Sequence, residues 1–177
     1  KLKFNDKASV IKKDYRDETL KYDAIVSIEM FEAVGEKYWP VYFNVLKNCL
    51  KPEAKALLQI ITISDELFHE YRKKVDFIQK YIFPGGMLPS ENVLNKEIKR
   101  IGYNLINKER LTNSYSKTLN IWHKKFNDAW SDIDSLGFDD RFRRMWNFYF
   151  ASCSALFANQ ICNVTQFTIT NKNNLLS

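Results

Sequence analysis

The chain has 177 residues, of which 45% are hydrophobic and 27% charged, with a net charge of +6. That length suits one domain with a substantial core, and that balance excludes a disordered or fibrous chain. The excess of cations favours anionic surfaces, but it is dispersed, with "YRKKVDF" and "RFRRMW" the densest runs, no zinc-finger spacing and no strongly basic tail, so nucleic acid is not the expected partner.

A short strand is expected first, in "ASVIKKDY". "YDAIVSIEM" then reads as a buried strand of the parallel-sheet kind, from about Tyr22 to Glu29. In "EKYWPVYFNVLKNCLKPEA", Val41, Val45, Leu46 and Cys49 recur at helical spacing, and "KPEA" is read as the stop. "KALLQIITIS" gives a second buried strand, about Ala56 to Ile63. Strand, helix and strand with short links make a βαβ unit, which builds an open α/β sheet.

"SDELFHEYRKKVDFIQKYIF" reads as one charged helix, opened by Ser64 with acids in its first turn and ended by the Pro-Gly stretch "YIFPGGMLPS". "SENVLNKEIKRIG" is a short helix with Ser90 as cap and Gly102 as stop, and "YNLINKERL" a strand. Tyr115, Leu119, Trp122, Phe126, Ala129 and Ile133 step by three or four and so share one face of the next helix, which "LGFDD" breaks. A long helix from about Asp140 to Ile161 and an alternating strand, "NVTQFTITN", complete the order. The expected fold is a single α/β domain over residues 1–177, with a helical insertion over about 64–100. Ligands of such sheets bind beyond the carboxyl ends of the strands. Those ends are Asp14 to Arg16, Glu29 to Gly35 and Gln59 to Ser64.

Cys49, Cys153 and Cys162 are far apart and odd in number, which reads as buried thiols in a reducing compartment. His69 and His123 fall at no metal-ligand spacing, and no metal is expected. No signal peptide is recognised at the start, and the longest apolar run, "FYFASCSALFA", is too short to span a bilayer.

The segments "DYRD", "YDAIVSIEMFEAVGEKYW", "LKPEAKALLQIITI" and "DFIQKYIFPGGMLPS" resemble the cyclopropane-fatty-acyl-phospholipid synthases and the related mycolic acid methyltransferases. "SYSKTLNIWHKKFNDAW" and "GFDDRFRRMWNFYFASCSALFANQICNVTQF" match the C-terminal part of that family. The resemblance implies a Rossmann-like class I methyltransferase fold that uses S-adenosylmethionine. It implies transfer of the methyl carbon to a cis double bond of an unsaturated phospholipid acyl chain, giving a cyclopropane. It further implies a cytoplasmic protein, peripheral at the inner face of the membrane, with a homodimer left open.

Residue by residue, the resemblance places Glu32 at the family's carboxylate, Ile61 at a backbone N–H offered to a bound bicarbonate, and Tyr115 at a hydrogen-bond donor. Bicarbonate would be the base. Asp14 and Tyr15 would contact the adenine, and Glu29 and Met30 would lie against the methionine portion. The insertion, with Tyr81, Phe83, Pro84, Gly85, Met87 and Leu88, would help form an apolar channel for the acyl chain. On the residues alone, that turn could equally be clamped onto the core.

The chain departs from the family at two histidines, which are Ala33 and Gln59 here. Gln59 can donate and accept but does not change charge near neutral pH. None of the five glycines forms the family's glycine-rich cofactor loop, so the chain is expected to be N-terminally truncated, beginning between the second and third strands. The alternatives are a related methyltransferase on another apolar substrate, or a non-catalytic fragment.

Overall fold

The computed structural model describes residues 7–171. Four strands form one sheet: β1 (Tyr22–Ile28), β2 (Leu50–Ile63), β3 (Asn104–Arg110) and β4 (Cys162–Thr170), in the order β1-β2-β4-β3. β1 and β2 run parallel, joined by helix α1 (Trp39–Cys49), so the expected βαβ unit is present. β4 runs antiparallel to both β2 and β3. The insertion holds α2 (Asp65–Tyr71), α3 (Phe77–Tyr81) and α4 (Glu91–Arg100), and α5 (Thr112–Asp128), α6 (Trp130–Ser135) and α7 (Asp140–Ala158) precede β4.

Alternation along the two central strands builds two cores. Ala56, Leu58 and Ile60 of β2, with Phe167 and Ile169 of β4, pack with Phe31, Trp39, Phe43, Leu46, Leu94 and Ile98. On the opposite face, Ile61 and Val164 pack with Leu119, Phe150, Cys153 and Phe157 of α5 and α7. Each large side chain removed fully from water contributes roughly 1.5–3 kcal/mol. Phe43, Leu58 and Phe167, at 1% exposure or less, are among the deepest of these anchors.

Several boundaries differ from the sequence reading. "ASVIKKDY" is not a strand: among the described residues it pairs with none, and Val10 and Ile11 are exposed. Among the described residues β1 pairs only with β2 and so lies at the edge of the sheet rather than buried within it. Ile25 packs against the first core, while Val26 and Ile28 on its other face are 65% and 51% exposed. The buried stripe of α1 is Trp39, Tyr42, Phe43, Leu46 and Cys49, and Val41 is turned out. "KPEA" lies inside β2, because the helix ends at Cys49 and the strand already starts at Leu50.

The helix expected from Ser64 is two helices. Ser64 makes no side-chain cap, and Asp65 accepts instead from the Asn92 N–H at 3.0 Å. Asp76 opens a new helix with a capping box: its carboxylate accepts from Gln79 N at 2.8 Å, and its own N–H donates to Gln79 Oε1 at 3.0 Å. The next helix also breaks, at Ala129, where Trp130 turns against Phe126 and under the Arg143 guanidinium. Trp122 is 54% exposed. His123 holds the inner position instead, stacked on Phe150 and bonded to Asn147. Ser90 caps α4 by accepting from Val93 N, and Gly102, at φ +78°, stops it as expected.

Candidate active site

A cavity of about 660 Å³ lies between the insertion and α7, at the carboxyl ends of β1 and β2. Its walls are mainly apolar: Ile61, Ile78, Phe83, Met87, Leu156 and Phe157 are among them. Three carboxylate residues line it: Asp76, which accepts from Gln79 N as the cap of α3, and the pair Glu29 and Glu32 that follows β1.

Glu29 follows β1 with φ +49°, and its N–H continues the ladder to Gln59 O at 2.9 Å. That left-handed turn separates its side chain from the alternation of the strand. Glu29 Oε1 accepts from the Tyr115 hydroxyl and from Gln59 Nε2, the latter at 2.8 Å. Gln59 Nε2 also reaches the Tyr115 oxygen at 2.7 Å, and Gln59 Oε1 accepts from Gln166 Nε2 at 2.9 Å. Gln59 and Gln166 are register partners in β2 and β4, so the sheet itself fixes this chain of polar groups. Burial and the neighbouring Glu29 carboxylate push the Tyr115 hydroxyl well above its ordinary value.

Glu32 sits in a short 3₁₀ turn, Phe31–Ala33. Its Oε1 accepts the Ile61 N–H, while its Oε2 is buried without a hydrogen-bond partner. Burial pushes its carboxyl up from 4.5 to about 7, against the pull of the Ile61 N–H and with help from the Glu29 charge. The two carboxylates thus have different environments: one is wrapped in donors, the other held in an apolar wall.

The Pro-Gly turn ties the insertion to this pair. Met87 N donates to Glu32 O at 2.9 Å, and Gln79 Nε2 donates to Gly86 O at 3.0 Å. A Cβ on Gly86 would lie 3.1 Å from Phe83 O, so a larger residue there would push the turn apart by a few tenths of an ångström. Of the expected channel residues, Phe83, Pro84, Met87 and Leu88 line the cavity. Tyr81 and Gly85 do not: Tyr81 is 47% exposed with its ring against Phe77, and Gly86 rather than Gly85 forms the wall.

A second pocket, about 390 Å³, is lined by Lys13, Asp14, Tyr15, Met30, Val34 and Tyr38. Ala33 lines both pockets, so the two adjoin there. Asp14, Tyr15 and Met30 are therefore brought together, but Glu29 belongs to the apolar cavity, because its left-handed backbone turns it there. The aromatic and thioether walls fit an adenosyl group. Asp14 has room for one more donor at most: Arg16 N, Nε and Nη2 already reach it at 2.9, 3.0 and 2.6 Å. Those contacts hold its carboxyl near 2.

Bicarbonate does not fit the residues as arranged. The Ile61 N–H is given to Glu32, Tyr115 O–H to Glu29, and both the amide hydrogens and the oxygen of Gln59 are engaged within the protein. A further anion would meet two carboxylates and no free donor among these groups. The sequence reading missed Gln166, and it missed Tyr149, Cys153, Leu156, Phe157 and Cys162 as cavity wall. Gln166 was legible as the amide within "NVTQFTIT", polar at a position whose neighbours two residues away point into the sheet faces. The α7 positions carried no signal beyond apolar periodicity. Cys49, Cys153 and Cys162 are buried and unpaired.

A family model described as mycolic acid cyclopropane synthetase matches residues 1–167. The tuberculostearic acid methyltransferase UfaA1 of Mycobacterium tuberculosis is 37% identical over 157 residues, which are 88% of this chain and 37% of that protein. The cyclopropane-fatty-acyl-phospholipid synthase of Escherichia coli K12 is 34% identical over 154 residues, 84% of this chain and 37% of that protein. The crystal structure of mycolic acid cyclopropane synthase CmaA1 complexed with SAH and CTAB superposes with a TM-score of 0.78 at 25% identity, over 88% of this chain and 57% of that one. The chain spans little more than a third of the length of the two curated relatives.

Proposed function

The chain belongs to the mycolic acid cyclopropane synthetase family, and we propose that it carries the acyl-binding half of an S-adenosylmethionine-dependent methyltransferase acting on a cis double bond of an unsaturated phospholipid. Its fold is that of the class I methyltransferases. The observation that carries the proposal is the apolar cavity lined also by Glu29 and Glu32, the latter with a buried oxygen that has no partner.

An alkene is a weak nucleophile, so it must be held close and in line with the methyl donor. When bound, S-adenosylmethionine supplies an electrophilic methyl carbon. Tyr15, Met30 and Tyr38 would hold its adenosyl and methionine parts beside Ala33, where the second pocket adjoins the cavity. Transfer of the methyl group to the alkene would break its bond to sulfur, release S-adenosylhomocysteine and leave on the acyl chain a positive centre that must lose a proton. A dry site with a weak, fixed base suits that loss, because water or a strong nucleophile would trap the cation. Glu32 meets the requirement: the Ile61 N–H fixes Oε1, and Oε2 is free to take the proton. Its carboxyl, raised to about 7, is neither too acidic to accept the proton nor too basic to be ionised at neutral pH. Glu29, held by its two donors, would face positive charge developing in the cavity.

The proton removed decides the product. Loss from the transferred methyl closes a cyclopropane, and loss from a neighbouring chain carbon leaves a methyl-branched alkene without a ring. The second reading, a branched product, is favoured by two observations: the relative named a tuberculostearic acid methyltransferase, and a proton acceptor built from side chains rather than from bicarbonate. The substrate would be drawn from a bilayer by a protein peripheral to the inner face of the membrane. No helix among the described residues is long and apolar enough to cross one.

The test is incubation of the complete protein with methyl-labelled S-adenosylmethionine and unsaturated phospholipid vesicles. Label should enter the acyl chains, and Glu32→Gln should reduce it by a factor of roughly 100 or more. Mass spectrometry and proton NMR of the released acids separate ring from branch. Unlabelled lipid from a protein that binds the cofactor would end the lipid reading, and an active Glu32→Gln would end the assignment of the base.

A further inference from the structure

Phe83 lines the cavity yet is 57% exposed, so it stands at the cavity mouth. Apolar surface continues outward from it. Val75, Tyr81 and Phe148 are 74%, 47% and 56% exposed. Ring contacts join two of them through Phe77, which meets Phe148 edge-on at 4.7 Å and Tyr81 at 5.5 Å, while Phe83 meets Tyr149, the neighbour of Phe148 in sequence, at 6.2 Å; Val75 lies two residues before Phe77 in the chain. Neither Val75 nor Phe148 is part of the cavity wall. Contiguous exposed apolar surface on a folded domain marks a place of contact.

Cations surround this patch. Lys74 and Lys80 flank it from the insertion, and the Lys80 ammonium stands 5.2 Å over the Tyr81 ring. Arg141 and Arg144 are exposed on α7, seven and four residues before Phe148, and so share its helix face. Arg72 and Lys73 are paired with Glu36 and Glu70. Lys74, Lys80, Arg141 and Arg144 stand in no ion pair among the described residues. Aromatic side chains within a ring of unpaired cations match the boundary of a lipid leaflet, with apolar chains below and phosphate above.

We propose that this face, Val75, Tyr81, Phe83 and Phe148 ringed by Lys74, Lys80, Arg141 and Arg144, docks on an anionic phospholipid surface and presents the cavity mouth to it. The proposal rests on the reading of the cavity as an acyl-chain site. It adds the orientation of the protein on the membrane and a preference for negatively charged headgroups.

Vesicle sedimentation tests it, with phosphatidylglycerol–phosphatidylcholine vesicles against phosphatidylcholine alone. The protein should bind the anionic vesicles more tightly, and salt should weaken that binding. Val75→Ser/Phe148→Ser and, separately, Lys74→Glu/Arg144→Glu should each weaken it by roughly tenfold or more. A thermal shift with oleyl alcohol reports the cavity in the same proteins and should be unchanged by both double variants. Leu156→Trp, which fills the cavity, should lose the alcohol shift and keep vesicle binding. Wild-type binding to neither vesicle, or double variants that bind as the wild type does, would overturn the docking face. An absent alcohol shift, with vesicle binding still dependent on the face, would instead overturn the reading of the cavity and support the face.

Discussion

Glu32 makes folding stability depend on pH in a window where most carboxylates are silent. Its carboxyl rises from 4.5 to about 7 in the folded chain, chiefly by burial. Between those values the folded state binds more protons than the unfolded state, so stability falls as pH rises. The contribution is intact below about pH 4.5 and lost as pH passes about 7. The shift of about 2.5 units, at ~1.36 kcal/mol per unit, amounts to about 3 kcal/mol. A whole domain is stable by only ~5–15 kcal/mol, so the effect is measurable. Urea unfolding of the wild type and of Glu32→Gln at several values between pH 5 and 8 isolates it, because every other titrating group is shared. The glutamine carries an amide where Oε2 lacked a partner and should cost about 1–3 kcal/mol at acid pH. Its disadvantage should shrink as pH rises and vanish or reverse by pH 8, a change of about 3 kcal/mol in the gap. A gap constant across that range would refute the reasoning, since it would mean that Glu32 ionises as an exposed carboxylate does.

Three further outcomes follow from the same geometry. Leu156→Trp should fold and melt within about 1–3 kcal/mol of the wild type, the usual cost of an oversized side chain at a wall, while abolishing the thermal shift given by a long-chain alcohol. Gln59→Leu removes the donor shared by Glu29 and Tyr115 and strands the Gln166 amide, so it should lower stability by about 1–3 kcal/mol in urea and reduce label transfer in the complete protein. Burial raises the Cys153 thiol to about 11 and the Cys162 thiol to about 12, so at pH 8 both should resist a thiol reagent until the chain is unfolded.

The parts of the fold set by local pattern were legible in the sequence. The βαβ unit, the Ser90 cap and Gly102 stop of α4, and strand β4 are each written in consecutive residues. The parts set by competition between neighbours were not. Asp76 and Gln79 form a capping box inside a run that also reads as continuous helix, and the box wins because it satisfies two N–H groups at the start of α3. Trp122 and His123 both suit the inner face of α5 by spacing, and only the Asn147 bond and the Phe150 ring select His123. In the site, Glu32 was reachable by resemblance, but the grouping of Glu29 with Gln59, Tyr115 and Gln166 required the register of β2 with β4 and a left-handed residue after β1.

The Pro-Gly turn links the mouth of the cavity to the proton acceptor. Met87 N–H donates to Glu32 O, so the turn holds the backbone of the residue whose side chain faces the cavity. Phe83 and Pro84, a few residues earlier in the same turn, form the wall at the entrance. Gly86 closes the turn against Phe83 O and Glu32 O, where a Cβ would stand at 3.1 and 3.7 Å. A chain entering past Phe83 therefore presses on a segment bonded directly to Glu32. That explains why apolar side chains and turn residues occupy one stretch. The apolar groups line the path, and Gly86 lets the turn pack against the main chain of Glu32. Loosening the turn would admit water, lower the Glu32 carboxyl toward its ordinary value and weaken it as a base before any contact with the acyl chain is lost.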